Sequence, residues 1–296
     1  MFRALIAGQG LAADGSQAYT SSGSYSFTVP DNVNMVSAVM IGGGGGSSAN
    51  YYGSTVEGGA GGTLVYATFF VTAGETLTVV VGAGGTAGAY SVSGYPGGHG
   101  GSTTISRGGT LLFRAPGGKG GANSNALDSV VIDGDALSSN SNAGGAGGLG
   151  ADNREGNGGG GAGGYSGVGG VGGDYQQDYG TDGAGGAGGG GSSGTLGGSY
   201  YTPGTGGDGG GTAIFGEGAN GAGGAGSGPA AVDGGVGSSN GSVSGGTTGY
   251  GGGAPSKAGA RYLNPDAGYV GEAGDRGAVR IIWPGQSRQY PSTNTV

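Results

Sequence analysis

The sequence predicts an all-β protein, a β-sandwich or jelly roll with an inserted polyglycine-II helix bundle and essentially no α-helix. Three observations lead to this prediction. Glycine supplies 88 of the 296 residues, short strand-like runs occur near both ends of the chain, and the glycines of the middle region recur in triplets. No segment has sustained helical periodicity, and glycine is a poor helix former.

Short runs that are rich in β-branched and aromatic residues, and are separated by Gly, Pro, Asn or Asp, are typical of strands. Such runs occupy 24–29, 35–41, 63–71, 77–81, 103–105, 111–113 and 278–283. Pro284 ends the last run, because proline cannot donate to a sheet ladder. This number of short strands fits a sandwich or jelly roll. We therefore expect residues 21–114 to form the β-domain and residues 276–283 to close it.

Between residues 115 and 275, large apolar side chains are too sparse to organise a core. Leu, Ile, Val and Phe number 16 of 161 residues there, against 29 of 135 elsewhere. Glycine pairs recur every third residue in 144–149 and 169–174, and a period of three is that of an extended left-handed helix. Such helices have no internal hydrogen bonds, so segments without Cβ atoms can approach and bond to each other. We expect a polyglycine-II bundle at 115–275; the alternative is a flexible linker.

The chain ends and the charge distribution limit the partners. We expect residues 1–20 and 284–296 to be arms for assembly. The apolar run before Gly8 is too short for a secretory signal, and no run approaches the ~20 residues of a membrane span. Residues 115–275 carry 14 acids and 4 bases (−10), and the remainder carries 4 acids and 6 bases (+2). Because phosphate contacts need clustered Lys and Arg, we expect no nucleic-acid binding. Because no apolar run is long enough, we also expect no membrane insertion.

Motifs for catalysis occur without the context that they need. The pattern G-x-S-x-G appears at 190–194 and 237–241, but a nucleophile elbow requires a strand, a helix and a histidine partner. The only histidine is His99, between two glycine pairs, where we expect a local hydrogen-bonding role. Neither lysine of the middle region precedes Ser or Thr, so a Walker A loop is missing. We expect no enzymatic activity and no cofactor.

Calcium is the most plausible metal, and the sequence argues against it. Residues 147–152 and 169–174 both fit the start of the calcium-binding β-roll nonapeptide, but they are 22 residues apart, whereas a stacked roll needs consecutive repeats. The segment Asp133–Asp135 is a still weaker candidate. With no cysteine and a single histidine, other metal sites lack ligands. We expect no metal site.

Tyrosine is the most informative residue for recognition. The chain has 16 Tyr against six Phe and one Trp. Tyrosine in Gly/Ser loops offers contact area with few rotamers to freeze, as in adaptable binding surfaces. The candidate recognition residues lie in glycine-rich turns of the middle region: Tyr165, Tyr175, Tyr179, Tyr200, Tyr201 and Tyr250. The alternative is that these rings shield the ends of the glycine helices or pack between subunits.

Several segments resemble a known family. The opening 27–30, 36–41 and 42–46, the middle 58–62, 71–85 and 97–103, and the closing 277–283 with the tail 288–295 resemble the glycine-rich domain of phage tail-fibre and virion proteins. The ends are similar to those of glycine-rich structural proteins of marine tailed phages. More distantly, the glycine runs resemble the T-even-like tail-fibre adhesins, which use packed polyglycine helices with variable loops that touch the host. The resemblance implies virion location and no catalysis.

We therefore expect a non-enzymatic structural protein on the surface of a phage particle, a tail-fibre or adhesin component that contacts the host. The expected partners are other virion proteins in a homo- or hetero-oligomeric assembly, and a host surface glycan or outer-membrane protein. One alternative is a capsid- or neck-associated decoration protein. Others are an ice-binding protein with flat polyglycine faces and an extracellular matrix protein.

Overall fold

The computed structural model describes most of the chain outside the two termini and several loops. The described residues are 12–49, 56–89, 96–123, 125–147, 155–176, 179–180, 183–184, 186, 188–191, 195–196, 207–224, 249–256 and 271–291. Every regular element among them is a β-strand. The prediction of an all-β protein is confirmed. Within these ranges, no helix has the length and apolarity to cross a membrane.

Fourteen strands occur in the described ranges. In chain order they are β1 (Gly15–Tyr19), β2 (Gly23–Thr28), β3 (Met35–Ile41), β4 (Leu64–Phe70), β5 (Thr76–Val81), β6 (Thr103–Arg107), β7 (Thr110–Ala115), β8 (Val131–Ile132), β9 (Ser138–Asn142), β10 (Glu155–Gly156), β11 (Tyr175–Gln176), β12 (Tyr179–Gly180), β13 (Thr195–Leu196) and β14 (Ala278–Trp283).

The longer strands form two antiparallel five-stranded sheets. Sheet A has the order β1-β14-β3-β4-β9, and sheet B has the order β2-β5-β6-β7-β8. The remaining strands form two-residue ladders, β10 with β13 and β11 with β12. Because every pairing is antiparallel, the strands alternate in direction and their connections fall at two opposite ends of the sheets.

The main apolar core contains residues of both sheets. Val36, Ala38 and Met40 of sheet A share one buried cluster with Leu77 and Ile105 of sheet B. Aromatic rings also meet across it: the centroids of Phe69 and Phe113 are 4.8 Å apart, and those of Phe27 and Trp283 are 5.7 Å apart. The two sheets therefore bury one face of each against the same core.

Sheet A is covered on its other face as well. Val39 and Ile41 alternate with the core residues of β3 and belong to a second cluster, with Tyr165, Ile214 and Tyr250 of the middle region. All seven residues of β3 are buried. Burial on both faces explains why this strand is a continuous apolar run rather than an alternating one.

The C-terminal strand lies inside sheet A rather than at its edge. Ile281 of β14 is opposite Gln17 of β1 on one side and Ala38 of β3 on the other. The last apolar run therefore pairs with N-terminal strands, as its isolated position in the sequence led us to expect. Since β14 joins the two ends of the chain, residues on either side of the glycine-rich region belong to one sheet.

Three segments differ from the predicted boundaries. Gly15–Tyr19, within the expected N-terminal arm, forms edge strand β1. The strands β8 and β9, within the expected glycine bundle, extend sheets B and A respectively. The strand β8 has only two residues, Val-Ile, and is too short to be recognised as a strand. The edge strands β1 and β9 carry little apolar signal: β9 is Ser-Ser-Asn-Ser-Asn, and most of its residues are exposed. Their positions come from the ladder of the neighbouring strand, not from their own side chains.

The expected C-terminal tail also belongs to the fold as far as it is described. Arg288 Nη1 donates to the carbonyl oxygens of Gly15 at 2.8 Å and of Trp283 at 3.0 Å. Tyr290 is 2% exposed and joins the cluster on the outer face of sheet A. Residues 284–291 are therefore not a free arm in this structure.

Glycine segments leave both sheets at the same end, which we call the glycine end. The strands β3, β5 and β7 finish there, and β4, β6 and β14 begin there, as the pairs Ile41 with Leu64 and Thr103 with Ala115 indicate. The segments that follow or precede these strands are 42–48, 57–63, 82–88, 97–102, 116–121 and 271–277. The opposite end, the far end, carries short turns and the connection between β8 and β9.

Candidate functional site

Segment 42–48 donates hydrogen bonds to three neighbouring segments in turn. Every third N–H of the segment donates to the same neighbouring segment, at N···O distances of 2.7–3.0 Å. Gly42, Gly45 and Ser48 donate in this way to the carbonyls of Thr63, Ala60 and Glu57. Gly43 and Gly46 donate to Gly101 and Gly98, and Gly44 and Ser47 donate to Asp275 and Glu272. The acceptor number falls by three as the donor number rises by three. Each of these neighbours therefore runs antiparallel to segment 42–48.

The carbonyl groups of the same segment accept from further neighbours. Gly43 and Gly46 accept from Gly118 and Gly121, Gly44 and Ser47 accept from Gly85 and Gly88, and Gly45 accepts from Ala254. Hydrogen bonds thus surround the segment on all sides. A buried backbone polar group needs a partner, and here the partners come from separate segments rather than from a helix or sheet ladder.

The segments approach so closely that side chains do not fit between them. A Cβ atom built on Gly44 would overlap the carbonyl oxygen of Gly252, and one on Gly45 would overlap that of Lys119. Both glycines have backbone conformations that other residues can adopt, since neither has a positive φ. Space, and not the conformational freedom of glycine, therefore selects this residue here.

The middle region joins the same network. Gly160 and Gly163 donate to Gly59 and Gly62 at 2.9 Å, again with a period of three. Gly253 in turn donates to Gly160 at 2.9 Å. The glycines of the inserted region are thus bonded to the glycine segments of the β-domain. We call the whole set of interbonded segments the glycine network.

Tyrosine rings line the contact between the glycine network and sheet A. The rings of Tyr165 and Tyr290 stack with centroids 5.9 Å apart, and the ring of Tyr66 is 6.1 Å from that of Tyr165. Tyr165 Oη donates to the carbonyl of Ala213 at 3.1 Å and accepts from the N–H of Gly216 at 3.2 Å. The cluster thereby holds segment 212–216 against the outer face of the sheet.

Burial sets the chemistry of these hydroxyls. Desolvation raises the pKa of Tyr165 well above its ordinary value, and the neighbouring Tyr290 raises it further. Desolvation also raises the pKa of Tyr290, and the positive charge of Arg280 opposes this shift. Tyr290 Oη donates to Ile214 O at 2.7 Å. Both phenols are therefore neutral hydrogen-bonding groups rather than acids or bases near neutral pH.

Arg280 is the cation of this cluster. It is 5% exposed, and its guanidinium lies 4.6 Å from the ring centroid of Phe215, a cation–π distance. Nη2 donates to Ser16 Oγ at 3.3 Å, whereas Nη1 makes no hydrogen bond within the residues that the structure describes. The guanidinium therefore contacts the Phe215 ring on one side and the Ser16 hydroxyl through Nη2.

The structure brings two of the predicted recognition residues together, but inside the molecule. Tyr165 is 4% exposed and Tyr250 is 6% exposed. The expectation that these two stand in exposed loops is therefore corrected: both pack on the outer face of sheet A, because their turns fold back onto it. For these two rings the structure matches the packing alternative.

The other predicted tyrosines lie elsewhere. The backbones of Tyr175 and Tyr179 belong to β11 and β12, where Tyr175 is opposite Gly180 and Gln176 is opposite Tyr179. The two residues thus share one short hairpin. Tyr200 and Tyr201 lie outside the described residues, so their recognition role stays a prediction.

His99 has the local role that its glycine surroundings suggest. Nδ1 accepts from the N–H of Gly120 at 3.0 Å, so Nε2 carries the proton and donates to the carbonyl of Asn125 at 3.2 Å. The ring thereby ties segment 97–102 to segment 116–121. This arrangement assigns the imidazole to the framework, and the prediction of local hydrogen bonding is confirmed.

The segment Asp133–Asp135, the weaker calcium candidate of the sequence analysis, forms a turn. Asp133 Oδ1 accepts from the N–H of Asp135 at 3.1 Å, and Asp133 O accepts from the N–H of Ala136 at 3.1 Å. Across the described ranges, no three His, Cys, Asp or Glu side chains are grouped as metal ligands. Absence of metal binding stays a prediction, which metal removal tests.

Sequence reasoning missed the buried polar residues that fix the glycine network to the strands. Thr103 Oγ1 donates to Ile41 O at 2.7 Å and accepts from Gly82 N at 3.0 Å, joining the ends of three strands at the glycine end. Asn157 Nδ2 donates to Val56 O at 2.9 Å. The available signal was a single polar residue at the border of a glycine run, which by itself also fits a turn.

Comparison with protein families identifies the family of the chain. A family model described as a glycine-rich domain matches residues 20–284. This range includes all of sheet B, every strand of sheet A except β1, and the glycine segments between them. No curated protein matches the chain.

Proposed function

The chain belongs to the glycine-rich domain family, and from that premise we propose that it is a non-enzymatic structural protein on the surface of a phage particle. In this proposal the chain is a tail-fibre or adhesin component that presents loops to the host. Its partners are other virion proteins and a host surface glycan or outer-membrane protein. The observation that carries the proposal is the glycine network, a rigid body built from backbone hydrogen bonds.

We also propose a finer architecture. The two sheets with a shared core are a β-sandwich, and the glycine network is a bundle of polyglycine-II helices. A three-residue period in the donors of segment 42–48 supports the second statement, because three residues per turn is the repeat of that helix. The overlap expected for a Cβ on Gly44 or Gly45 supports close lateral packing of such helices.

A framework of this kind suits display rather than catalysis. The loops that connect the hydrogen-bonded segments of the glycine network start and end at fixed positions of that network. The sequences of these loops can therefore change while the backbone hydrogen bonds of the network remain. The hairpin that contains Tyr175 and Tyr179 is one such loop. Tyrosines in Gly/Ser-rich loops form contact surfaces in binding proteins, so we propose host contact for Tyr175, Tyr179, Tyr200 and Tyr201.

Mass spectrometry of purified particles tests the location. We expect peptides of this chain in particles separated from lysed host material, at a constant ratio to the major virion proteins. Separation of tails from capsids then distinguishes a fibre from a capsid or neck decoration. Finding the chain in host surface fractions and not in particles would reject the phage proposal.

The double variant Tyr200→Ala, Tyr201→Ala tests the contact surface. We expect slower adsorption of particles to host cells with an unchanged melting temperature, since contact aromatics contribute to binding and not to folding. Val168→Ala is the matched control, because Val168 is 61% exposed and outside the proposed surface. Normal adsorption together with a lowered melting temperature would make these tyrosines structural.

A further inference from the structure

A cleft lies at the far end, on the side away from the glycine network. It is lined by Phe69 and Phe70 at the end of β4, by Arg107 and Leu112 of the β6–β7 hairpin, and by Asp133, Asp135 and Leu137. The last three belong to the connection that crosses from β8 in sheet B to β9 in sheet A. The cleft therefore opens where the edges of the two sheets meet.

The walls of this far-end cleft are held by specific contacts. Arg107 Nη2 donates to Phe70 O at 2.6 Å and pairs with Glu75 Oε1 at 3.1 Å. On the other wall, Leu137 N donates to Thr68 O at 2.8 Å, which fixes the crossing connection to β4. Both walls are therefore attached to β4. A preformed cavity of about 370 Å³ is within the size range of small-ligand sites.

The lining combines an exposed aromatic face with charges of both signs. Phe70 is 56% exposed and Leu137 is 53% exposed, although residues of these types are ordinarily buried. Asp133 and Asp135 supply carboxylate acceptors, and Arg107 supplies a guanidinium. Because Arg107 is already paired with Glu75, the two aspartates give the lining a net negative charge that disfavours an anionic ligand. A ligand for this lining needs an apolar face, several hydrogen-bond donors and no negative charge.

We infer that the far-end cleft binds a neutral saccharide. One face of a pyranose ring carries C–H groups, which suit the electron-rich face of Phe70. The hydroxyl groups around the ring both donate and accept, so they match the carboxylates and the guanidinium. The cavity volume accommodates one or two sugar units. This site is separate from the tyrosine loops and does not rest on the proposed phage location.

Saturation-transfer NMR on the purified chain tests this inference. The probes are neutral disaccharides of hexoses, 6-deoxyhexoses and N-acetylhexosamines at millimolar concentration. We expect saturation transfer to at least one of them, and affinity reduced about tenfold by Phe70→Ala, which removes the stacking ring. Phe70→Tyr should retain binding, and Val168→Ala, an exposed apolar residue of the glycine region, should not change it.

A second variant guards against effects of Phe70 on folding. Asp135 is exposed, so Asp135→Asn should leave the melting temperature unchanged and weaken saccharide binding. No transfer to any probe, or equal binding by Phe70→Ala, would overturn the inference. So would tighter binding of trilysine than of any saccharide, or sedimentation as a dimer that Phe70→Ala dissociates. Saccharide binding by a chain that is absent from particles would keep this inference and reject the proposed location.

Discussion

At the scale of single residues, the structure requires glycine at some positions of this chain and not at others. At Gly44 the neighbouring backbone occupies the space of a side chain: a Cβ would overlap Gly252 O. Gly134 lies in the connection between β8 and β9, has open space around its Cβ position, and does not have a positive φ. Substitution of these two glycines should therefore have very different consequences.

Gly44→Ala should destabilise the protein strongly, whereas Gly134→Ala should not. The added methyl group meets Gly252 O, so segment 42–48 has to shift. This shift weakens the bonds Gly44 N to Asp275 O and Gly85 N to Gly44 O. Overpacking and two weakened hydrogen bonds together predict a loss of about 2–5 kcal/mol. Gly134→Ala should stay within about 0.5 kcal/mol of the unmodified protein. Urea unfolding measures both, and equal midpoints would contradict the close approach of the segments.

Tyr165→Phe should also destabilise the protein, because it removes a buried hydroxyl that serves two backbone groups. The N–H of Gly216 and the carbonyl of Ala213 would lose this partner. A buried unsatisfied group costs about 1–3 kcal/mol. Tyr25→Phe is the control, since the Tyr25 hydroxyl bonds at an exposed position. An unchanged midpoint for Tyr165→Phe would indicate that water replaces the hydroxyl.

The raised pKa values of Tyr165 and Tyr290 predict a loss of stability in alkali. The folded protein holds the two phenolic protons more tightly than the unfolded chain does, so their contribution is complete below about pH 10 and declines above it. Each buried tyrosine then contributes a slope of about 1.4 kcal/mol per pH unit. Replacing Tyr290 by Phe should remove one such contribution from a melting series between about pH 9 and about pH 11. An identical slope in the variant would show that Tyr290 ionises freely.

At the scale of elements, the sequence predicts the strands that are buried and misses those that are not. The runs of β3, β4 and β5 are recognisable because their apolar residues form the core. The strands β1 and β9 are edges with mostly exposed side chains, so the pairing strand determines them. Local patterns contain no information on such pairing, which explains why the predicted arm and bundle boundaries differ from the structure.

The candidate site was likewise predictable from the sequence only in part. The glycine triplets predicted hydrogen bonds between segments. Extended helices with a three-residue period have no internal hydrogen bonds, so their backbone groups need partners in other segments. The direction of Tyr165 and Tyr250 was not predictable, since a tyrosine between glycines has the same local sequence whether its turn points outward or folds back. Tyr290 was missed for a related reason: its burial depends on contacts with distant segments.

Deletion of residues 276–296 should prevent the first 114 residues from folding as a soluble unit. The deletion removes β14, which lies between β1 and β3, and so leaves a buried strand without its ladder partner. Ile281 and Val279 would also be lost from the shared core. Expression of fragment 1–114 and a denaturant titration provide the test. A soluble fragment with cooperative unfolding would contradict the dependence of sheet A on β14.

At the scale of the whole molecule, the glycine network and the β-sheets form one body. Hydrogen bonds connect segments of the middle region to the segments that continue β3 and β4, and tyrosines of the middle region cover sheet A. Since the described part of the middle region has no apolar cluster apart from this contact, it should unfold together with the sheets. A single calorimetric transition is the expected behaviour.

Removal of calcium should leave that transition unchanged. Asp133 Oδ1 accepts from the N–H of Asp135 within a turn, and the described residues contain no grouped set of metal ligands. Melting in EDTA and in excess calcium should coincide. A drop of many degrees in EDTA would show that calcium contributes to folding, since a ligand of the folded state raises its stability by mass action.

Amide hydrogen exchange tests the central claim, that the glycine segments are a hydrogen-bonded framework. The amides of Gly44, Gly45 and Gly160 donate to other segments, so they should exchange as slowly as those of β3, through opening of the whole molecule. A flexible linker would exchange at the rate of an unfolded chain. Slow exchange across 42–48 and 157–164 is the predicted result; complete exchange of these segments within seconds, while β3 remains protected, would contradict it.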